Sequence, residues 1–160
     1  MTQRQSGRPA GARSIDEILV AARERLVRVY PPQAFREMRD GALLVDIRPA
    51  AQRAAEGQIP GGLTIERNVL EWRFDPASAA RLPQVDGYDL RVIVICSEGY
   101  TSSLAAVALH DIGQTRATDV IGGFRAWVAA GLPHLRGTEA APQPNALPDP
   151  GRRRTPSASS

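Results

Sequence analysis

Lysine is absent from this 160-residue chain; all twenty basic residues are arginine. That excludes Schiff-base chemistry and a lysine general base. There is one cysteine, Cys96, so neither an internal disulfide framework nor a multi-cysteine zinc site can form. No apolar run approaches the roughly 18–20 residues that a membrane span requires. The longest, Leu104 to Leu109, has six residues, and Val92 to Cys96, with five, has the length of a strand. Residues 1–13 carry arginine with no apolar stretch behind it, unlike a secretory signal. The length suits one domain with tails, and a 42% hydrophobic fraction suffices for a core. The expectation is a cytoplasmic, metal-free, single-domain protein without membrane association.

The net charge of +3 belongs to the ends of the chain. Arg4, Arg8 and Arg13 face no acid within residues 1–13, and Arg152 to Arg154 outweigh Glu139 and Asp149 within residues 137–160. The middle, 14–136, is close to neutral. Basic tails on a neutral body argue against a nucleic-acid footprint. Residues 1–13 have no hydrophobic period and are expected to be disordered. So is the proline-rich tail, 137–160, which holds Pro142, Pro144, Pro148, Pro150 and Pro156.

Between the tails, strands and helices alternate. Ser14-Ile15-Asp16-Glu17 has the spacing of a capping box, and Ile15, Ile18, Leu19, Ala22 and Leu26 recur at helical spacing, which predicts a helix over 14–26. Its apolar stripe must dock on the domain or on a partner. Strands are predicted at Val27–Val29, Leu43–Ile47, Leu63–Ile65, Val92–Cys96 and Thr118–Ile121. Helices are predicted at Pro31–Arg39, Pro49–Glu56, Asn68–Phe74, Thr101–Ile112 and Phe124–Ala130. This alternation implies an α/β fold, a parallel sheet with helices on both faces.

Cys96 ends the most apolar strand and is followed by Ser97-Glu98-Gly99-Tyr100-Thr101-Ser102 and then a helix. Ligands bind open parallel sheets at this edge. A tight loop returning into a helix there directs backbone N–H groups inward as an anion nest, and the helix terminus adds positive potential. Both would stabilise a Cys96 thiolate. The competing reading is a buried, inert thiol, the ordinary condition of a free cysteine.

Three separated signatures make the segment from about Val27 to Leu135 resemble the rhodanese-like (sulfurtransferase) domain family. Leu44-Val45-Asp46-Ile47-Arg48 followed by Glu56-Gly57-Gln58-Ile59-Pro60-Gly61-Gly62 resembles its "D-x-R … G-H-I-P-G-A" stretch. Cys96 through Ser102 resembles its cysteine loop. Ile121-Gly122-Gly123-Phe124-Arg125-Ala126-Trp127 with Gly131-Leu132-Pro133 resembles its closing "G-G-F-x-A-W … G-L-P". The resemblance implies a five-stranded parallel sheet with helices on both sides, here with an extra N-terminal helix. It implies a sulfurtransferase in which Cys96 takes sulfane sulfur from thiosulfate or a persulfide or polysulfide donor. The persulfide is then handed to a thiophilic acceptor, a thiol or cyanide, with no cofactor. Asp46 and Arg48 are expected to support the loop.

The chain departs from that pattern where many active members have basic loop residues; Ser97 and Thr101 stand there, and Glu98 brings an acid. At about 7 Å a unit charge costs roughly 0.6 kcal/mol in water and about 2.4 kcal/mol at an effective dielectric of 20, comparable with the roughly 0.3–2 kcal/mol a helix terminus returns. Glu98 is therefore expected to point outward, and a donor less anionic than thiosulfate to be preferred. Compensating charge is expected from Arg67 or Arg73, unless these pair with Glu66 or Glu71. Gln58 replaces the usual histidine. A related branch of phosphatases uses Cys-x5-Arg, but the sixth position after Cys96 is Ser102, which argues against phosphoryl chemistry. Trp72, Phe74, Phe124 and Trp127 are expected in the core or pocket wall, Tyr100 at the pocket, and His110 and His134 away from the sulfur. The alternative function is a catalytically weak binding or regulatory module that recruits a protein partner through the N-terminal helix.

Overall fold

Four consecutive β-branched residues, Val92-Ile93-Val94-Ile95, favour extended backbone and disfavour helix. In the computed structural model, which describes residues 7–136, they form the central strand. In chain order the elements are α1 (Ile15–Glu24), α2 (Pro31–Arg39), β1 (Leu43–Asp46), α3 (Ala50–Glu56), β2 (Leu63–Thr64), a 3-10 turn (Arg67–Val69), α4 (Leu70–Phe74), β3 (Val92–Ile95), α5 (Thr101–Asp111), β4 (Thr118–Asp119) and α6 (Gly123–Ala129).

The strands run parallel in the order β2-β1-β3-β4. β1 lies beside β3 along its whole length, with Leu43 opposite Val92 and Asp46 opposite Ile95. Their C-terminal ends are therefore level, and the segments that leave them, Ile47-Arg48 and Cys96-Ser97, emerge side by side.

Five strands are predicted and four form. Val27–Val29 supplies only a parallel bridge from Val29 to Val120, in which the Val29 N–H donates to Asp119 O (3.1 Å) and the Ile121 N–H to Val29 O (2.8 Å). The ladder cannot lengthen because α2 starts at Pro31, and proline has no N–H and a fixed φ. On the other side Val27 is 83% exposed.

Strand alternation sends side chains to two cores. Val92, Val94 and Cys96 face the side that holds α4 and α5, with Leu70, Phe74, Ala105, Ala106 and Leu109. Ile93 and Ile95 face Ala34, Phe124 and Trp127 from α2 and α6. Helix α1 starts with the predicted capping box, Ser14 Oγ accepting from Glu17 N–H while the Glu17 carboxylate accepts from Ser14 N–H. It lies along α5, burying Leu19 and Ala22 and pairing Arg25 with Asp111 at 2.7 Å. Leu19, Ala22 and Leu26 of the predicted stripe are thus buried within the chain, whereas Ile15 is 64% exposed.

Within the expected N-terminal tail, residues 7–13 contain a turn, Ala12 N–H to Pro9 O at 3.1 Å, and Arg8 pairs with Glu17. Residues 1–6 and the predicted tail 137–160 lie outside the described residues. Among the described residues no helix is long and apolar enough to cross a membrane.

Candidate active site

Cys96 follows β3, and residues 97–100 return the chain into α5. Three carbonyls of this loop are held from outside. Cys96 O accepts from Phe124 N–H (2.8 Å) and Ser97 O from Arg125 N–H (3.0 Å), both at the start of α6. Gly99 O accepts from Arg23 Nη2 (2.8 Å) and Arg28 Nη2 (3.0 Å). There are no cis peptides among the described residues, and in a trans peptide C=O and N–H point in opposite directions. The amides of Ser97, Glu98 and Tyr100 therefore face away from these anchors. The Gly99 N–H itself donates to Cys96 Sγ at 3.2 Å. The amides of Ser97, Glu98, Tyr100, Thr101 and Ser102 find no protein acceptor among the described residues. One amide of the loop thus meets the sulfur, and its neighbours are left without a protein partner.

Two glycines make the loop possible. Gly99 has φ +84°, and a Cβ there would lie 2.8 Å from Gly122 N. Gly123 has φ +62°, and a Cβ would lie 2.5 Å from Cys96 O and 2.7 Å from Ser97 O. Only without that carbon can α6 come close enough to hold the two carbonyls. Gly123→Ala should cost about 1–3 kcal/mol for the backbone conformation alone, and more for the overlap. Urea denaturation should show that loss, together with slower reaction of the Cys96 thiol.

Cys96 is 4% exposed yet lines a pocket of about 270 Å³ with Ile47, Arg48, Gln52, Tyr100 and Arg125 among its walls. Cys96 is thus nearly buried, at one wall of this pocket. Glu98 is exposed and pairs there with Arg125 at 2.8 Å, as expected of an outward side chain. A pair this solvated contributes only about 0–1 kcal/mol, but it makes the rim nearly neutral.

Beneath the loop runs a chain of buried charges. Arg48, 1% exposed, donates to both Asp46 oxygens (2.7 and 3.0 Å), to Glu56 Oε2 (3.1 Å) and to Gly57 O (2.8 Å). Its guanidinium lies 4.0 Å from the Phe124 ring centre. Glu56 in turn accepts from Ser97 Oγ at 2.8 and 2.9 Å. Burial pushes the Glu56 carboxyl up, but hydrogen bonds from Ser97, Gln52 and Arg48 and the Arg48 charge outweigh it and hold the group below the ordinary glutamate value. A depressed carboxylate stabilises the fold above its unfolded pKa, and that contribution disappears as pH falls below about 4. Melting temperature should therefore drop more steeply through that acid range in the wild type than in Glu56→Gln, which starts lower and titrates less.

Residues 31–130 match the rhodanese-like domain. The chain belongs to that family. It is 30% identical over 105 residues to the thiosulfate sulfurtransferase GlpE of Haemophilus influenzae, covering 66% of this chain and 90% of that one. It is 32% identical over 94 residues to a sulfurtransferase of Allochromatium vinosum, covering 59% and 78%. A solved Rhodopseudomonas palustris structure of unknown function, described as a possible tyrosine phosphatase, superposes with a TM-score of 0.70 at 30% identity, covering 80% of this chain and 99% of that one.

Within this rhodanese-like domain, Cys96, Ser97, Glu98, Tyr100, Thr101 and Arg48 all line the pocket. Gly99 and Asp46 stand behind it. Ser102 Oγ turns away to Asp119 Oδ2 at 2.7 Å. Arg67 and Arg73 are not brought to the pocket. Arg67 pairs with Glu71 at 2.6 Å, and Arg73 donates to Ala80 O at 2.6 Å. Phe74, Phe124 and Trp127 are core residues, whereas Trp72 is 60% exposed and belongs neither to core nor to pocket. His110 is spent on Ala117 O and His134 lies against Leu132 O.

Sequence reasoning missed Arg125, Glu56, Asp119, Arg23 and Arg28. Arg125 occupies the variable place of the "G-G-F-x-A-W" stretch, two residues beyond Gly123, and that spacing was the available signal for it. Nothing local marked Arg23 or Arg28, which lie over seventy residues from the carbonyl they hold.

Proposed function

We propose that this rhodanese-like domain is a sulfurtransferase that carries sulfane sulfur as a persulfide on Cys96. The observation that carries the reading is the Gly99 N–H on Cys96 Sγ inside a loop whose other amides are uncommitted. The Cys96 thiolate attacks the outer sulfur of the donor. A new S–S bond forms, the donor's S–S bond breaks, and the electron pair leaves with sulfite, or with a thiolate when the donor is a persulfide. Cys96 then bears a terminal sulfur anion, which the loop amides stabilise without a cationic side chain. A thiol or cyanide acceptor attacks that outer sulfur and releases the Cys96 thiolate. No proton transfer by a side chain is required when both nucleophiles are anions, in keeping with the engagement of His110 at Ala117 O and of His134 at Leu132 O.

The rim supports a preference among donors. Arg125, an exposed cation of the pocket lining, is already paired with Glu98, so a dianion such as thiosulfate meets little net attraction. A thiol persulfide, with less charge to desolvate, or a polysulfide, whose charge is spread along a longer chain, suits this pocket better. The Rhodopseudomonas description raises phosphoryl transfer as a second possibility. That chemistry would need a guanidinium where Ser102 stands, and Ser102 Oγ is bound to a buried carboxylate.

The test is intact mass after incubation with thiosulfate and, separately, with polysulfide. The expected result is a gain of one sulfur atom, removed by cyanide and acquired faster from polysulfide. Failure of every donor to add sulfur would overturn the reading and leave a binding module of rhodanese fold.

A further inference from the structure

The Gly99 carbonyl of the Cys96 loop is fastened from outside the segment that matches the family. Arg23, on α1, donates through Nη2 to Gly99 O (2.8 Å) and through Nε to Ser103 Oγ (3.2 Å), and its guanidinium lies 5.7 Å from the Tyr100 ring centre. Arg28 adds a second bond to Gly99 O through Nη2 at 3.0 Å, while its Nε and Nη2 donate to the Asp119 carboxylate at 2.8 and 3.1 Å. The two arginines differ in one respect. Arg28 is neutralised by a buried carboxylate, whereas Arg23 forms no ion pair among the described residues. Its charge is directed at the loop carbonyl.

That carbonyl belongs to the Gly99–Tyr100 peptide, whose N–H points to the opposite side. A cation on the oxygen of an amide polarises its N–H and strengthens it as a donor. The positive charge that the loop lacks at positions 97 and 101 is thus delivered from behind, through a peptide group, by a helix that precedes residue 31.

We propose that Arg23 is a positioning residue for the Cys96 loop, holding Gly99 O outward so that the Tyr100 amide is presented to the sulfur. The assignment rests on the sulfurtransferase reading only for what the amide stabilises; the loop geometry itself does not depend on it. α1 is then part of the catalytic apparatus and not an appendage.

The experiment uses the full chain as wild type and as Arg23→Gln, Arg23→Lys and Arg25→Gln. Arg25→Gln breaks the Arg25–Asp111 pair that docks the same helix without touching the loop, and so reports on helix docking alone. Two readouts are followed beside the melting temperature. One is the rate of sulfur loading. The other is iodoacetamide alkylation of Cys96, the only thiol, compared at about pH 6 and about pH 9 to weigh thiolate against thiol.

Arg23→Gln should load sulfur roughly tenfold more slowly, as loss of a charged hydrogen bond implies, and should lose alkylation rate more at the lower pH. Arg23→Lys, which keeps the charge, should recover most of both. Arg25→Gln should match wild type in both. The proposal is overturned if Arg23→Gln behaves as wild type, or if Arg25→Gln reproduces its effects. Should wild type fail to load sulfur from any donor while the alkylation pattern still responds to Arg23→Gln but not to Arg25→Gln, the positioning role stands and the sulfurtransferase reading falls.

Discussion

Serine at position 96 should abolish sulfur loading completely while leaving the fold intact. The reaction needs an ionised, polarisable nucleophile that can also leave as a stable anion when the acceptor attacks. A serine hydroxyl stays protonated, and the described residues offer no uncommitted histidine or carboxylate at this loop to relieve it of its proton. The histidines are engaged elsewhere, at Ala117 O and Leu132 O, and Glu56 is held at Ser97 Oγ. The stability cost should be small. Serine is slightly smaller than cysteine, and its oxygen can accept the Gly99 N–H that now points at Sγ. A change of about 1 kcal/mol in urea unfolding is the expectation. Intact mass with thiosulfate and with polysulfide checks the first part and denaturation the second. Any sulfur retained by Cys96→Ser would place the acceptor atom outside this loop.

Arg48→Met should have the largest effect on stability, about 3–5 kcal/mol in urea denaturation. Methionine fills much of the volume, but it leaves Asp46 without the guanidinium that two of its oxygens share, and Glu56 without its cation. Buried carboxylates stripped of a partner carry an uncompensated desolvation cost. The Gly57 carbonyl loses its donor as well. Arg48→Met/Asp46→Asn should recover part of the loss, because the second change removes one of the stranded charges. If both variants unfold at the same urea concentration as wild type, the Asp46–Arg48 pair contributes nothing to the fold. The same substitution should slow sulfur loading, since Glu56 then holds Ser97, the first residue after the cysteine, less firmly.

These two sites show how differently sequence and structure contribute. Cys96 and its loop were legible because their information is local. A β-branched run specifies a buried strand, and the residues that follow it must turn at the sheet edge, where Gly99 alone permits the required φ. Asp46 and Arg48 were legible as a pair for the same reason: they are two residues apart at the end of one strand. The strand count was overestimated by one because Val27–Val29 has strand composition, while the neighbouring Pro31 limits its ladder to one bridge. Arg67 and Arg73 were drawn toward the site by lying after a strand on the correct edge, but an i,i+4 carboxylate at Glu71 satisfied Arg67 more cheaply than a reach across the sheet.

The chain order of residues thus determined the family, the alternating architecture and the place of the single cysteine at the end of the central strand, since each depends on short-range pattern. Tertiary structure alone decided where the positive charge of an all-arginine protein goes. Long guanidinium side chains reach several ångströms from their backbone, so Arg23, Arg28 and Arg125 are assigned to the loop by packing of α1, of the segment that follows it and of α6, and not by spacing along the chain. The orientation of the amides around the sulfur was decided in the same way, because each peptide turns according to what takes hold of its carbonyl.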